Sequence, residues 1–229
     1  MLGVQGAGKG TQAGVIKKEY GIPHVSTGDL FRAMKTRDDD FARQIQEIMN
    51  AGALISDDIT NQMVDERLSQ PDANDGVILD GFPRNVEQAD WLEKFLATKG
   101  ESVTAVILLE LDLFTAFRRA FGRVKSESSG EFYNIYFNDD LVDVTFEEHP
   151  EKAYPPRIKA TLKETGEALT RRADDEAAFV VKRIDIFQQT TSPLIEYYRE
   201  KGLLVEIDAN QSIEAVSQAI KAKISAASR

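Results

Sequence analysis

Gly3-Val4-Gln5-Gly6-Ala7-Gly8 runs straight into Lys9-Gly10-Thr11, a stretch built to cradle phosphate. Residues without a Cβ let successive N–H groups converge on phosphate oxygens where a helix begins, and Lys9 adds a mobile cation. The spacing fits G-x-x-x-x-G-K, but Gly10 stands where the general P-loop carries the Ser or Thr that holds magnesium. The hydroxyl comes one residue later, at Thr11. A second candidate is Val77-Ile78-Leu79-Asp80, an apolar run ending in a carboxylate, which is where a P-loop enzyme organises magnesium and its waters. Gly81-Phe82-Pro83-Arg84 follows at once, and its proline-restricted backbone offers the Arg84 guanidinium as a fork for phosphate.

Other groups with chemical potential read differently. Asp38-Asp39-Asp40 suits a solvated helix start better than a metal site, because acids favour that end of a helix. His24 and His149 are too few and too far apart in sequence for a catalytic cluster and are assigned structural or surface roles. With no cysteine, the chain forms neither disulfides nor a thiolate metal site. A net charge of -10 argues against a general nucleic-acid binder, which neutralises phosphates with clustered Lys and Arg, so phosphate affinity must be local. No run approaches the roughly 18 apolar residues of a membrane span, and no signal peptide is visible, so a cytoplasmic location is expected.

The elements that must position these groups follow from pattern. Thr11 to Tyr20 reads as a helix stopped by Gly21 and Pro23, and His24-Val25 as a strand end. Val77 to Leu79, Val103 to Leu111 and Leu203 to Ile207 are candidates for buried parallel strands. Helices are expected from a Ser56-Asp57 cap towards Ser69, over Val86 to Thr98, and over Ile213 to Ile224. Alternating strands and helices predict a doubly wound, parallel α/β sheet with helices on both faces. The stretch from about Gly122 to Arg172 breaks the rhythm and reads as an insertion, with a small hairpin over Gly130 to Phe137 and a mobile lid as its function. Only Met1 and Leu2 precede Gly3, where a strand of about five residues is usual, so a few apolar residues are expected upstream.

Gly3 to Thr11, Ser26-Thr27-Gly28-Asp29, Asp80-Gly81-Phe82-Pro83-Arg84 and Thr170-Arg171-Arg172-Ala173-Asp174-Asp175 occur in the order and approximate spacing of adenylate kinases. Over nearly its whole length the chain resembles a long-lid member of this nucleoside monophosphate kinase family without the zinc cysteines. The resemblance implies magnesium-dependent phosphoryl transfer from ATP to AMP giving two ADP. It implies a core over 1–121 and 176–229, an AMP-binding segment over 26–55, and a lid over 122–175. Gly6, Ala7, Gly8, Lys9, Gly10 and Thr11 would wrap the ATP phosphates, Gly10 being the family's own form of the loop. Magnesium would lean on Asp80 through water.

On the acceptor side the resemblance implies Thr27, Arg32, the Ala53-Leu54-Ile55 backbone and Gly81, with Arg84 gripping the AMP phosphate and Gln88 reading adenine through its amide. Arg119 and Arg123, four apart on an expected helix and hence on one face, would meet ATP by stacking and ion pairing. Phe132, Tyr133 and Gln211 would line the ATP site. Arg172 and Arg183 would close onto the phosphates. No nucleophile or protein base is needed, because rate comes from alignment and from cations aimed at the transferring group. The family's habit implies a monomer.

Many family members carry Pro at the place of Gln5, Thr at that of Asn85 and Lys at that of Gln211. From Asp139 to Lys163 the lid is also longer than usual and acidic. Asn85 after Pro83-Arg84 occurs in UMP/CMP kinases too, but the long lid and Thr27 favour AMP. A P-loop binding module without turnover is the alternative from another class. The cationic set Lys9, Arg32, Arg84, Arg123, Arg172 and Arg183 is more than such a module requires.

Overall fold

The computed structural model describes residues 1–50, 55–148, 157–172 and 175–227. Ala53, Leu54, His149, Pro150, Tyr154-Pro155-Pro156 and Ala173-Asp174 lie outside them. Along the chain come α1 (Lys9–Tyr20), β1 (His24–Ser26), α2 (Thr27–Met34), α3 (Asp40–Asn50), α4 (Asp57–Leu68), β2 (Ile78–Asp80), α5 (Val86–Thr98) and β3 (Val106–Glu110). There follow α6 (Leu113–Phe121), β4 (Arg123–Lys125), β5 (Phe132–Asn134), β6 (Val142–Glu147), β7 (Arg157–Leu162), β8 (Ala168–Leu169) and α7 (Ala177–Ile186). A π-helical turn (Phe187–Thr191), α8 (Pro193–Glu200), β9 (Leu204–Asp208) and α9 (Ile213–Ala227) complete it. The chain divides into two compact units, one of Met1–Gly3, Gly8–Glu110 and Phe187–Arg229, the other of Val4–Ala7 and Leu111–Ile186.

The first unit is the expected parallel α/β layer. Strand β1 pairs with β2, Ser26 opposite Asp80, and β3 pairs with β9, Glu110 opposite Asp208. Leu2 bridges to β3, donating its N–H to Ile107 O at 2.8 Å and accepting from Leu109 N at 3.0 Å. The Met1 amino group donates to Leu79 O at 2.6 Å, so these two residues join the strand pairs. Helix α5 places Ala89 in a core cluster with Leu2, Leu108 and Tyr198, and Leu92 in another with Val25, Val64 and Phe82. Burial of one Leu or Phe side chain stabilises by about 1.5–3 kcal/mol, so this double anchorage fixes the Asp80–Arg84 turn against the sheet.

Local signals set the helix starts. Ser56 Oγ accepts from Ile59 N at 3.4 Å, and Asp39 Oδ1 accepts from Ala42 N at 3.0 Å. Arg43 pairs with Asp38 and Asp40, so the acidic run is a helix start. Helix α1 begins at Lys9, two residues earlier than the pattern predicts, because Gly8 at φ 92° ends the loop in the left-handed region.

The second unit departs further from expectation. Arg123 lies off the helix that carries Arg119. Asn134 Nδ2 donates to Arg118 O at 3.3 Å and Arg119 O at 3.0 Å, capping α6, and Arg123 becomes the first residue of β4, paired with Asn134 of β5. The expected Gly130–Phe137 hairpin is replaced by this antiparallel β4–β5 pair, with Tyr136 and Phe137 beyond its end. The long segment from Asp139 forms an antiparallel hairpin of β6 and β7, extended by β8. Alternation in Val142-Asp143-Val144-Thr145 and Arg157-Ile158-Lys159-Ala160 carries that signal, with Val142, Ile158 and Ala160 buried.

Candidate functional site

The glycine loop is shaped by its surroundings as well as by any ligand. Gly6 has φ 92°, and a Cβ there would lie 2.3 Å from Ala116 O, so no side chain fits. Ala7 N donates to Val4 O at 3.1 Å, closing the turn. Lys9 Nζ donates to Gly3 O at 2.7 Å, while Gly10 and Thr11 are exposed in the first turn of α1. The early N–H groups of a helix lack intrahelical acceptors and favour an anion.

In the first unit Thr27, Gly81, Arg84 and Gln88 come together. Buried Thr27 donates from Oγ1 to Gly81 O at 2.8 Å, and Gly81 has φ 75°, where a Cβ would lie only 2.8 Å from that hydroxyl oxygen. Arg84 Nε donates to the same Gly81 O at 2.8 Å, its NH2 lies 3.5 Å from Thr27 Oγ1, and its guanidinium is exposed. Gln88 is 4% exposed; its Oε1 accepts from Arg84 N at 2.8 Å and its Nε2 donates to Asp57 at 2.6 Å. Exposed Arg32 pairs with Asp29 at 2.5 Å, and half-buried Ile55 packs beside Met34 and Met63. Gln211 is exposed in the β9–α9 connection, donating to Asp208 O at 3.2 Å.

Asp80 ends β2 with His24 Nε2 3.3 Å from its Oδ2, both side chains largely buried. Burial pushes the Asp80 carboxyl up, but the His24 hydrogen bond and the Lys9 charge outweigh it and hold the group below the usual carboxylate range. His24 is thus a partner of the candidate metal carboxylate, a role that sequence alone does not show. No local signal marks it, since the residues are far apart and only the β1–β2 pairing brings them together. Among the described residues no three His, Cys, Asp or Glu converge as a metal cage. One carboxylate held ionised fits magnesium, which keeps several waters and takes phosphate oxygens.

In the second unit Arg123, Phe132 and Arg172 line a cavity of about 400 Å³ with Lys125, Thr170 and Asp175. Arg123 makes a two-pronged pair with fully buried Asp175, Nε to Oδ2 at 2.9 Å and NH2 to Oδ1 at 2.7 Å. Gln5 Nε2 lies 3.4 Å from the same carboxylate. Arg172 sits over the Phe132 ring at 5.9 Å, whereas Tyr133 turns its hydroxyl to Glu131 at 2.8 Å. Arg119 is half-buried on α6, and Arg183 is exposed on α7. Neither lines the cavity. Sequence alone assigns no role to Asp175 or Arg171, yet Arg171 donates to Asp175 O at 2.9 Å and stacks over Phe121 at 4.8 Å.

A family model described as adenylate kinase matches residues 1–203. The chain belongs to the adenylate kinase family. A relative named adenylate kinase from Caldanaerobacter subterraneus subsp. tengcongensis is 40% identical over 221 residues, 96% of this chain and 93% of the relative. Those from Listeria monocytogenes and Nitrosococcus oceani are 38% identical over 216 residues and 37% over 220, covering 94% and 96% of this chain and 93% and 94% of theirs. Membership makes the chain a nucleoside monophosphate kinase. Among the described residues no helix is long and apolar enough to cross a membrane.

Proposed function

We propose that this chain transfers a phosphoryl group reversibly from ATP to AMP, giving two ADP. The observation that carries the reading is the cluster of the first unit, where Arg84 is tied to the Gly81 carbonyl beside Thr27 while its own N–H holds the amide of Gln88. A guanidinium for phosphate and an amide for a base edge are thereby fixed four residues apart. Thr27, Arg32, Ile55 and Gly81 complete the acceptor side in this reading, with Ala53 and Leu54 outside the described residues.

Gly6 to Thr11 take the donor phosphates, with Lys9 following the charge in flight. Arg119, Arg123, Phe132, Tyr133 and Gln211 serve ATP, and Arg172 and Arg183 bring further cations to the transferring group. Residues 1–121 and 176–229 act as the core, 26–55 as the AMP-binding segment, and 122–175 as a lid that excludes water. When bound, Mg²⁺ supplies charge neutralisation and alignment of the phosphates, with Asp80 holding its waters. The chain works as a cytoplasmic monomer. A coupled assay across AMP, CMP, UMP and GMP tests the acceptor, and a preference for a pyrimidine would overturn the reading. Lys9→Met is expected to lower kcat by about 10²–10³-fold, the cost of one lost transition-state contact. Near-normal turnover would remove Lys9 from the mechanism.

A further inference from the structure

The amide of Gln88 is not merely placed; it is oriented. A carboxylate only accepts hydrogen bonds and a backbone N–H only donates. Asp57 Oδ1 therefore demands the NH2 group of Gln88 at 2.6 Å, and Arg84 N demands its Oε1 at 2.8 Å. Rotating the amide by half a turn would set oxygen against carboxylate and NH2 against N–H. Asn85 braces the arrangement, accepting from Gln88 N at 2.8 Å through Oδ1 and donating from Nδ2 to Asp57 Oδ2 at 2.8 Å. This gives Asn85 a specific task. Each partner uses one of the amide's two donors or two acceptor sites, so among the described residues one N–H and one lone pair remain for a ligand.

A fixed amide distinguishes bases that a rotating one cannot. Adenine offers an exocyclic amine that donates beside an unprotonated ring nitrogen that accepts. Hypoxanthine offers an oxo group that accepts beside a ring N–H that donates, the same edge with its polarity reversed. A freely turning amide satisfies either. Resting on the reading of Gln88 as the contact to the acceptor base, we infer that Asp57 is a specificity-determining residue which, with Arg84 N–H, locks the Gln88 amide in one orientation and so selects amino-bearing over oxo-bearing acceptor nucleotides. Cytosine shares adenine's polarity, so the lock does not itself separate purines from pyrimidines.

The test measures kcat/KM for AMP and for inosine monophosphate in the wild-type chain and in Asp57→Asn, whose amide can donate or accept. The ratio of AMP to inosine monophosphate is expected to fall by about tenfold or more, the scale of a hydrogen bond to a charged group. A purely structural role would lower both constants together and leave the ratio in place. Should Asp57→Asn not fold, Asp57→Ser carries the same expectation, since its hydroxyl also donates and accepts. A ratio unchanged within about twofold in the folded variant overturns the lock while leaving AMP as the acceptor. Absence of AMP turnover in the wild type overturns the functional reading itself, and the lock with it.

Discussion

In each unit a carboxylate anchors a group aimed at a candidate ligand, but the two anchors differ in kind. Asp57 is half-buried and holds neutral amides, whereas Asp175 is fully buried and holds the Arg123 guanidinium through two bonds. A neutral amide can exchange a hydrogen-bond partner without uncovering charge. A buried ion pair cannot, because removing one member strands the other in a low dielectric. The first anchor therefore governs orientation, and the second governs whether its surroundings hold together.

The largest effect expected from this contrast is on the Arg123–Asp175 pair. Arg123→Ala should destabilise the chain by about 3–5 kcal/mol, read as a lowered midpoint in urea unfolding, because fully buried Asp175 loses its guanidinium partner. A loss below about 1 kcal/mol would break the comparison, since that is the range of an exposed pair. The double variant Arg123→Met/Asp175→Leu should regain most of that stability, as apolar replacement of both members is often neutral, while phosphoryl transfer stays impaired.

Asn85→Ala should cost less, about 1 kcal/mol in the same titration, the usual worth of a helix N-cap. The smallest effect concerns two caps, exposed Asp112 of α6 and half-buried Asp39 of α3. The backbone amides of Thr115 and Ala42, respectively, are the main causes that lower these carboxyls below the ordinary value. Because the folded value is the lower, each contribution is complete above the unfolded pKa of about 3.9 and fades as pH falls through the folded one. Asp112→Asn should thus flatten the acid limb of a stability profile below about pH 4 and leave its neutral region nearly level.

What the sequence discloses follows the range of the forces involved. Helix α5 is legible end to end, and Ser56 announces α4, because caps and apolar spacing act within one or two turns. Helical spacing misplaces Arg123 because the cap that ends α6 comes from Asn134, well beyond any local window. The Asp57–Gln88 and Asp175–Arg123 contacts are likewise made by tertiary packing, as is His24 against Asp80. The β6–β7 hairpin is a different case: its alternation is on view but is overshadowed by the acidic residues around it.

Gly6 bears on how such chains are diagnosed. Its missing side chain is demanded by the Ala116 carbonyl whether or not a nucleotide ever arrives. A descendant that had lost all turnover would still be obliged to keep glycine there, so this letter of the motif certifies ancestry and architecture. Signs of a living catalyst have to be sought in Lys9 and Arg84, whose side chains donate to the Gly3 and Gly81 carbonyls but whose positions would accept another side chain without the clash that Gly6 forbids.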